Sequence, residues 1–136
     1  MFCVCSFPGR RERVSEARAM VARQLDGSPA SDDAVLLVSE LAANACAHSA
    51  SGQPGGEFVV RVRQGGSRSG EVYVEVEDQG SGWGGLLKKN RSPHGLYLLQ
   101  ALSAACGTRR GAGGWITWFV LGDGMTGDEF GGVRGS

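Results

Sequence analysis

The sequence predicts an α+β domain, a two-layer sandwich in which a mostly antiparallel sheet carries its helices on one face. Three observations lead to this fold class. Only two of the 23 glycines, Gly9 and Gly27, precede position 52, and that first third has apolar residues at helical spacing. Two later segments alternate apolar and polar residues, and a β-rich run lies near position 118. The predicted order of elements is β-α-α-β-β-α-β.

The first third predicts a strand and two helices. Residues 2–7 form the strand, which ends at Pro8 and Gly9, and a first amphipathic helix follows up to Asp26 and Gly27. A second helix is predicted to begin after the N-cap region 31–33 and to run to about Ser49. Its apolar face is formed by Ala34, Leu37, Val38, Leu41, Ala42 and Ala45.

The rest of the chain predicts strands, a long loop and one more helix. Residues 58–63 and 71–77 alternate as an antiparallel hairpin with one solvated face. The glycine-containing segment 78–92 is long enough to be a functional loop. A helix from Gly95 to Cys106, stopped by Gly107, precedes a strand from Trp115 to Leu121, and a minor strand near Thr108 is possible. The inward-facing residues of this third helix are predicted to be Leu96, Leu98, Leu99 and Leu102.

Length and charge bound the function. We expect one domain over residues 1–121 and a disordered tail over 122–136. Lys plus Arg and Asp plus Glu number 14 each, so no overall basic field exists to hold nucleic acid. No apolar run approaches the ~20 residues of a membrane span, and no leader or lipid anchor is recognisable, which predicts a cytoplasmic protein. Four cysteines without CxxC spacing are expected to be small buried hydrophobes: Cys3, Cys5, Cys46 and Cys106.

A polar stripe runs along the second helix. Glu40, Asn44 and His48 lie at i, i+4 and i+8, so they drift only ~40° per step. Their directions overlap those of Leu37 and Leu41, which places the stripe beside the buried face. Polar groups there need partners, either neighbouring loops or a ligand at the mouth of the core.

A second feature, Asp78-Gln79-Gly80-Ser81-Gly82, directly follows a predicted strand. An acidic residue followed by glycines suits the reading of a planar base, although a plain glycine turn is the alternative. Residues 80–85 also match G-x-G-x-x-G, but no long helix opens there, which argues against a dinucleotide fold. A third feature, residues 92–96, opens a helix, where free amides and the dipole favour an anion.

Taken in order, these residues resemble a known family. Residues 40–48 look like the N box, residues 78–82 like the G1 box and residues 94–96 like the G2 box of the GHKL ATPases. The closest subgroup is the small anti-sigma-factor serine/threonine kinases, and the resemblance covers about residues 2–121. It implies the Bergerat α/β sandwich, with ATP and Mg²⁺ held between the second and third helices.

The resemblance implies a role for each matching residue. Asn44 would ligate Mg²⁺ through its amide oxygen, and Asp78 would accept a hydrogen bond from the adenine amino group. Glu40 would be the base that acts on the attacking hydroxyl. The remaining binding residues would be His48, which supports the site, Gly80 and Gly82, which allow close approach, and His94, Gly95 and Leu96, which open the helix beside the phosphates.

One departure from the family pattern bears on whether the chain transfers phosphate or only binds ATP. The G2 box usually begins with a glycine where this chain has Pro93, and proline removes an N–H and fixes φ. Members of the family carry a threonine on the phosphate side of the last strand. In this sequence either Thr117 or Ile116 aligns with it. The leading hypothesis is a homodimeric regulator that binds an alternative sigma factor and phosphorylates an anti-anti-sigma-type antagonist. An ATP-binding module without phosphotransfer is the alternative, and a detached sensor-kinase catalytic domain is a third.

Overall fold

The computed structural model describes residues 2–65, 70–80 and 93–122. These residues form five strands and three helices, with short 3-10 turns at Arg11–Arg13 and Ala50–Gly52. The elements in chain order are β1 (Phe2–Pro8), α1 (Val14–Gln24), α2 (Ser31–His48), β2 (Glu57–Gln64), β3 (Val72–Glu77), α3 (Pro93–Leu102), β4 (Ala105–Arg110) and β5 (Trp115–Leu121).

The strands form one sheet in the order β1-β2-β3-β5-β4, and every pair of neighbours is antiparallel. Side chains alternate across it, so Val60 and Val62 are buried while Arg63 is exposed. The helix-covered face packs against α1, α2 and α3 in one core that includes Met20, Leu37 and Phe119. The opposite side of the sheet is the open face. This arrangement confirms the predicted α+β sandwich.

The apolar face predicted for α2 is confirmed, because all six of its residues are buried. The predicted start of α2 is wrong, since the helix begins at Ser31 and no side chain caps it. Asp32 and Asp33 lie in its first turn, where negative charge interacts favourably with the helix dipole. Ser28 instead closes the preceding turn by accepting a hydrogen bond from the Ala30 N–H (3.1 Å).

The predicted end of α3 is also wrong. The helix stops at Leu102, and Cys106 and Gly107 belong to β4, which is a full edge strand paired with β5. Gly107 lies under the Trp118 ring, and a Cβ built on it would be 2.9 Å from Trp118 Cζ2. The glycine therefore makes room for an indole across the sheet and does not terminate a helix. Of the predicted inward residues, Leu99 is fully buried, Leu98 and Leu102 pack partly buried against the core, and Leu96 is half-buried.

We expect Gly107→Ala to lower the free energy of unfolding by about 1–3 kcal/mol, because the added methyl group overlaps the Trp118 ring. Urea unfolding followed by circular dichroism measures the loss. Gly113→Ala is the matched control, since the nearest atom to its new Cβ is 3.6 Å away. A Gly107→Ala protein as stable as the Gly113→Ala protein would contradict this packing account.

The open face is not solvated as predicted, because Glu75 and Glu77 are buried at 5% and 8% exposure. Arg61 forms ion pairs with both carboxylates, at 3.0 Å to Glu75 and 2.7 Å to Glu77. Arg109 adds a 3.2 Å ion pair to Glu75, and Tyr73 donates a hydrogen bond to the same carboxylate. The two arginines, on β2 and β4, are distant in sequence from these carboxylates of β3 and cover them on the open face.

All four cysteines are free thiols, but only Cys106 is buried as predicted; Cys3, Cys5 and Cys46 are half-buried and pack against the core. Burial raises the pKa of Cys5, Cys46 and Cys106 above the ordinary thiol value. Within residues 2–65, 70–80 and 93–122, no helix is long and apolar enough to cross a membrane. The predicted disordered tail lies outside the described residues, apart from residue 122.

Candidate functional site

The candidate site begins where β3 ends, at Asp78. This carboxylate is 8% exposed, and its Oδ1 accepts hydrogen bonds from the Gly80 N–H (2.7 Å) and the Trp115 N–H (3.4 Å). The Asp78 N–H in turn donates to the Trp115 carbonyl at 2.9 Å. Backbone groups on both sides therefore fix the orientation of a buried carboxylate at the end of the sheet.

The backbone conformation at position 80 requires a glycine. Its φ is +72°, in the left-handed region that favours glycine, and a Cβ there would contact the Gly114 Cα at 3.4 Å. Its carbonyl accepts a hydrogen bond from the Ala50 N–H at 2.8 Å. The second glycine of the predicted box, Gly82, lies outside the described residues.

Two serines tie the end of α2 to this turn. Ser49 Oγ donates to the Ala45 carbonyl (2.7 Å) and accepts from the Ser51 N–H (3.0 Å). Ser51 Oγ accepts from the Gln79 N–H at 3.0 Å, and Ser51 is fully buried. A chain of hydrogen bonds therefore joins the C-terminal end of α2 to the Asp78 turn. Sequence reasoning missed both serines, because in a glycine and serine loop they carry no distinguishing pattern.

The α2 stripe contributes a carboxylate and an amide. Asn44 is 8% exposed, and its Nδ2 donates to the Glu40 carbonyl at 3.0 Å, which leaves the amide oxygen for another partner. The Glu40 carboxylate is half-buried and forms no hydrogen bond or ion pair within the described part of the chain. His48 is the last residue of α2, and its side chain lies outside the described part.

The sequence left Thr117 and Ile116 as alternatives for the phosphate-side threonine of related proteins, and the two residues lie on opposite faces of the sheet. Thr117 pairs with Val76 in the sheet and is 5% exposed, on the helix-covered face, whereas Ile116 pairs with Glu77 on the open face. Thr117 therefore lies opposite the residue two positions before Asp78, on the same face of the sheet. Trp115 lies on the same face beside Gly80, and its buried Nε1–H has no hydrogen-bond partner among the described residues. Unsatisfied buried donors of this kind are rare in folded proteins.

The predicted anion-binding helix is α3, which begins at Pro93 and packs against α2 and β4. Proline is favoured at the first residue of a helix, because the N–H that it lacks has no partner within the helix. Gly95 is buried and Leu96 is half-buried, while the side chain of His94 lies outside the described part. The structure thus brings α3 into the same layer as Asn44.

Among the groups with a clearly shifted pKa, Glu77 is the one next to Asp78 in the sequence. Burial opposes its ionisation, but the Gly113 N–H and the hydrogen bond and charge of Arg61 outweigh burial and hold the pKa of Glu77 below its ordinary value. Arg109 also lowers it. Glu77 is therefore an ionised carboxylate that two arginines stabilise in the folded chain.

This shift predicts a pH dependence of stability. Because the pKa of Glu77 is lower in the folded chain, its ionisation stabilises the fold above the ordinary glutamate range, about pH 4.3. That stabilisation is lost as the pH falls through the folded-state pKa. We expect the difference in unfolding free energy between the wild type and Glu77→Gln to be full at pH 7 and to shrink towards pH 3. Urea unfolding over this range measures it, and a difference that grows on acidification would contradict the assignment.

One cavity among the described residues lies away from the side chains of the candidate site. It holds about 540 Å³ between residues 8–10 and 52–57, and its walls are mainly glycine, proline and exposed side chains. A smaller cavity of about 250 Å³ lies on the open-face side of Asp78, lined partly by Glu57, Glu77 and Gly113. Asp78 also lines this smaller cavity, and Asn44 and Thr117 are further buried polar residues of the described chain.

Comparison with known families gives a clear match. The sequence model of the histidine kinase-like ATPase domain matches residues 7–121, which include α2, β3, the Asp78 turn and β5. Among curated proteins, none matches this sequence.

A solved structure shares the fold. It is that of the RsbU and RsbW domains of Rv1364c from Mycobacterium tuberculosis, with a TM-score of 0.66 and 21% sequence identity. The match covers 90% of this chain and 32% of that protein, so this chain spans about a third of its length. At this identity the similarity shows a common fold.

Proposed function

The chain belongs to the histidine kinase-like ATPase domain family, and from that premise we propose an ATP-binding regulator of the anti-sigma-factor type that phosphorylates a serine or threonine of a partner antagonist. The observation that carries the proposal is the fixed Asp78 carboxylate, tied through Ser51 and Gly80 to the helix that bears Asn44 and Glu40. Base-reading, metal-binding and proton-accepting groups would then share one rigid frame.

Adenine recognition would depend on Asp78. A carboxylate accepts a hydrogen bond from the amino group of adenine, whereas guanine presents a carbonyl oxygen at the corresponding position. The buried hydroxyl of Thr117 and the unpartnered Nε1–H of Trp115 supply further polar groups on the same face. The residues present therefore fit a purine whose amino group is at C6, as in adenine.

Metal binding would depend on Asn44. Mg²⁺ prefers oxygen ligands, and the amide oxygen of Asn44 is the atom that its hydrogen bond to Glu40 leaves over. Nucleotide phosphates and water would complete the set, since Mg²⁺ keeps several waters and is bound through few protein oxygens. When bound, the ion would neutralise charge on the phosphates.

Phosphotransfer would depend on Glu40, whose carboxylate has no partner within the described chain. Glu40 takes the proton from a serine hydroxyl of the antagonist as that oxygen bonds to the γ-phosphorus. The bond from the γ-phosphorus to the β–γ bridging oxygen breaks, and ADP leaves with the bonding electron pair. The products are phosphoserine, ADP and a proton held by Glu40.

The remaining residues would support the site. Gly80 and Gly82 would allow close approach of the base, and the backbone amides of Gly95 and Leu96 would face the phosphates with His94 beside them. His48 would support the end of α2.

In cells, the chain would act as a homodimer that binds an alternative sigma factor and an anti-anti-sigma-type antagonist. Its likeness in fold to a protein with an RsbW domain is compatible with a regulatory partner.

A second candidate function is nucleotide binding without transfer. Pro93 opens α3 and removes one amide donor from the helix start. A helix with fewer free amides holds phosphate less tightly, which favours a regulatory module whose ATP controls partner binding.

Calorimetry with Mg·ATP and Mg·GTP on the purified chain tests nucleotide binding, and we expect ATP to bind markedly more tightly. A pull-down from the native cell with and without ATP then recovers the partner for a phosphotransfer assay. Absence of nucleotide binding would overturn the proposal. Binding of ATP and the partner without phosphate transfer would select the second candidate.

A further inference from the structure

Glu77 and Asp78 are consecutive residues whose side chains lie on opposite faces of the sheet. Glu77 belongs to the ion-pair network of the open face, while Asp78 follows the buried valines of the helix-covered face. The two carboxylates are therefore joined by one peptide unit, and each also contacts the connection between β4 and β5.

Glu77 holds that connection, residues 111–114, by its carboxylate. Its Oε2 accepts a hydrogen bond from the Gly113 N–H at 2.9 Å, and its Oε1 accepts one from Arg61 at 2.7 Å. The turn is closed by a 2.7 Å hydrogen bond from the Gly111 N–H to the Gly114 carbonyl. A Cβ added at Gly111 would overlap Glu77 Oε2, so the turn lies directly against the carboxylate.

The same turn packs against the Asp78 side of the sheet. A Cβ added at Gly114 would overlap the Asp78 carbonyl oxygen and come within 2.5 Å of the Gly80 nitrogen. The next residue, Trp115, donates its N–H to Asp78 Oδ1 and accepts from the Asp78 N–H. Displacement of the turn would therefore move two of the backbone groups that orient Asp78.

We propose that Glu77, held by Arg61, is a positioning residue for base recognition: it fixes the 111–114 turn against Gly80 and so aligns the Asp78 carboxylate. The inference rests on the proposed binding of ATP. Glu77 does not contact the nucleotide and acts through Gly113, Gly114 and Trp115. Base selectivity then depends on an ion pair located on the other side of the sheet.

Glu75 provides a matched control. It precedes Glu77 by one pleat on the same face of β3, is equally buried and pairs with the same Arg61, but none of its hydrogen bonds or ion pairs reaches the 111–114 turn. Glu75→Ala and Glu77→Ala each remove one buried carboxylate from the network. Only Glu77→Ala removes the acceptor for Gly113.

Calorimetry with ATP and GTP on both variants is the test. We expect Glu77→Ala to lose about tenfold in ATP affinity and much of the ATP-over-GTP preference, while Glu75→Ala stays within about threefold of the wild type. In the ligand-free proteins, hydrogen exchange at the Gly80 amide should accelerate in Glu77→Ala alone, because this N–H donates to Asp78.

The alternatives are distinguishable. Equal losses in the two variants, or a Glu77→Ala loss that leaves the ATP-to-GTP ratio unchanged, would overturn the positioning role, since both indicate general loosening. If Glu77→Ala does not fold, Glu77→Gln and Glu75→Gln decide in the same way, because a glutamine has one acceptor oxygen for the two donors that Glu77 now satisfies. A wild type that binds no nucleotide would instead overturn the proposed function itself.

Discussion

Asp78→Ala is expected to weaken the binding of adenine nucleotides about ten- to a hundredfold, and to leave the weaker binding of GTP almost unchanged. Loss of a hydrogen bond to a charged group costs about 1.5–3 kcal/mol, which corresponds to that range of affinity. Calorimetry with Mg·ATP and Mg·GTP measures both effects. Equal affinities of the wild type for ATP and GTP would contradict the adenine assignment.

Asp78→Asn separates recognition from folding. Asparagine keeps an oxygen that can accept from the Gly80 and Trp115 amides, so the variant should lose less stability in urea than Asp78→Ala. Its other terminal atom becomes a nitrogen donor, which repels the donating amino group of adenine. We expect it to lose ATP affinity as Asp78→Ala does. Asp33→Ala, an exposed carboxylate in the first turn of α2, is the control that should bind ATP normally.

Local periodicity was sufficient to predict most of the fold. The buried face of α2 and the antiparallel pairing of β2 with β3 follow from neighbouring residues, and both are confirmed. The length of β4 was underestimated because, from the local sequence, Gly107 resembles the glycine that ends a helix. The structure shows a different reason for this glycine, which is the room it leaves for the Trp118 indole on the next strand. The burial of Glu75 was missed because its partners Arg61 and Arg109 are distant in sequence.

For the candidate site, too, local motifs were predicted from the sequence, whereas long-range contacts were not. Asn44 and Asp78 belong to sequence motifs, and the structure ties their elements together through hydrogen bonds of Ser51 and Gly80 that no local pattern reveals. The face on which Ile116 and Thr117 each lie depends on the register of β5 against β3, which is a long-range property. The role of the 111–114 turn depends on glycine contacts across the sheet, which likewise have no local signature.

Substitution of Asn44 and Glu40 is expected to separate metal binding from proton transfer. The two residues are at positions i and i+4 of α2, so their side chains project from the same side of the helix. Asn44→Ala should weaken Mg·ATP binding and phosphotransfer together, because it removes the proposed metal ligand. Glu40→Gln keeps the shape of the side chain and should leave Mg·ATP affinity nearly intact.

Loss of a general base slows proton-coupled steps by about 10²–10⁴-fold, which is the effect expected for phosphorylation of the partner by Glu40→Gln. Nucleotide affinity by calorimetry and phosphate transfer to the recovered partner, measured for both variants, provide the comparison. Glu16→Gln, an exposed carboxylate on α1 that pairs with Arg13, serves as the control with both properties unchanged. If Glu40→Gln transfers phosphate at the wild-type rate, Glu40 is not the base. If the wild type transfers none while binding Mg·ATP and its partner, the half-buried Glu40 has a different role, and ATP acts in this chain as a regulatory ligand.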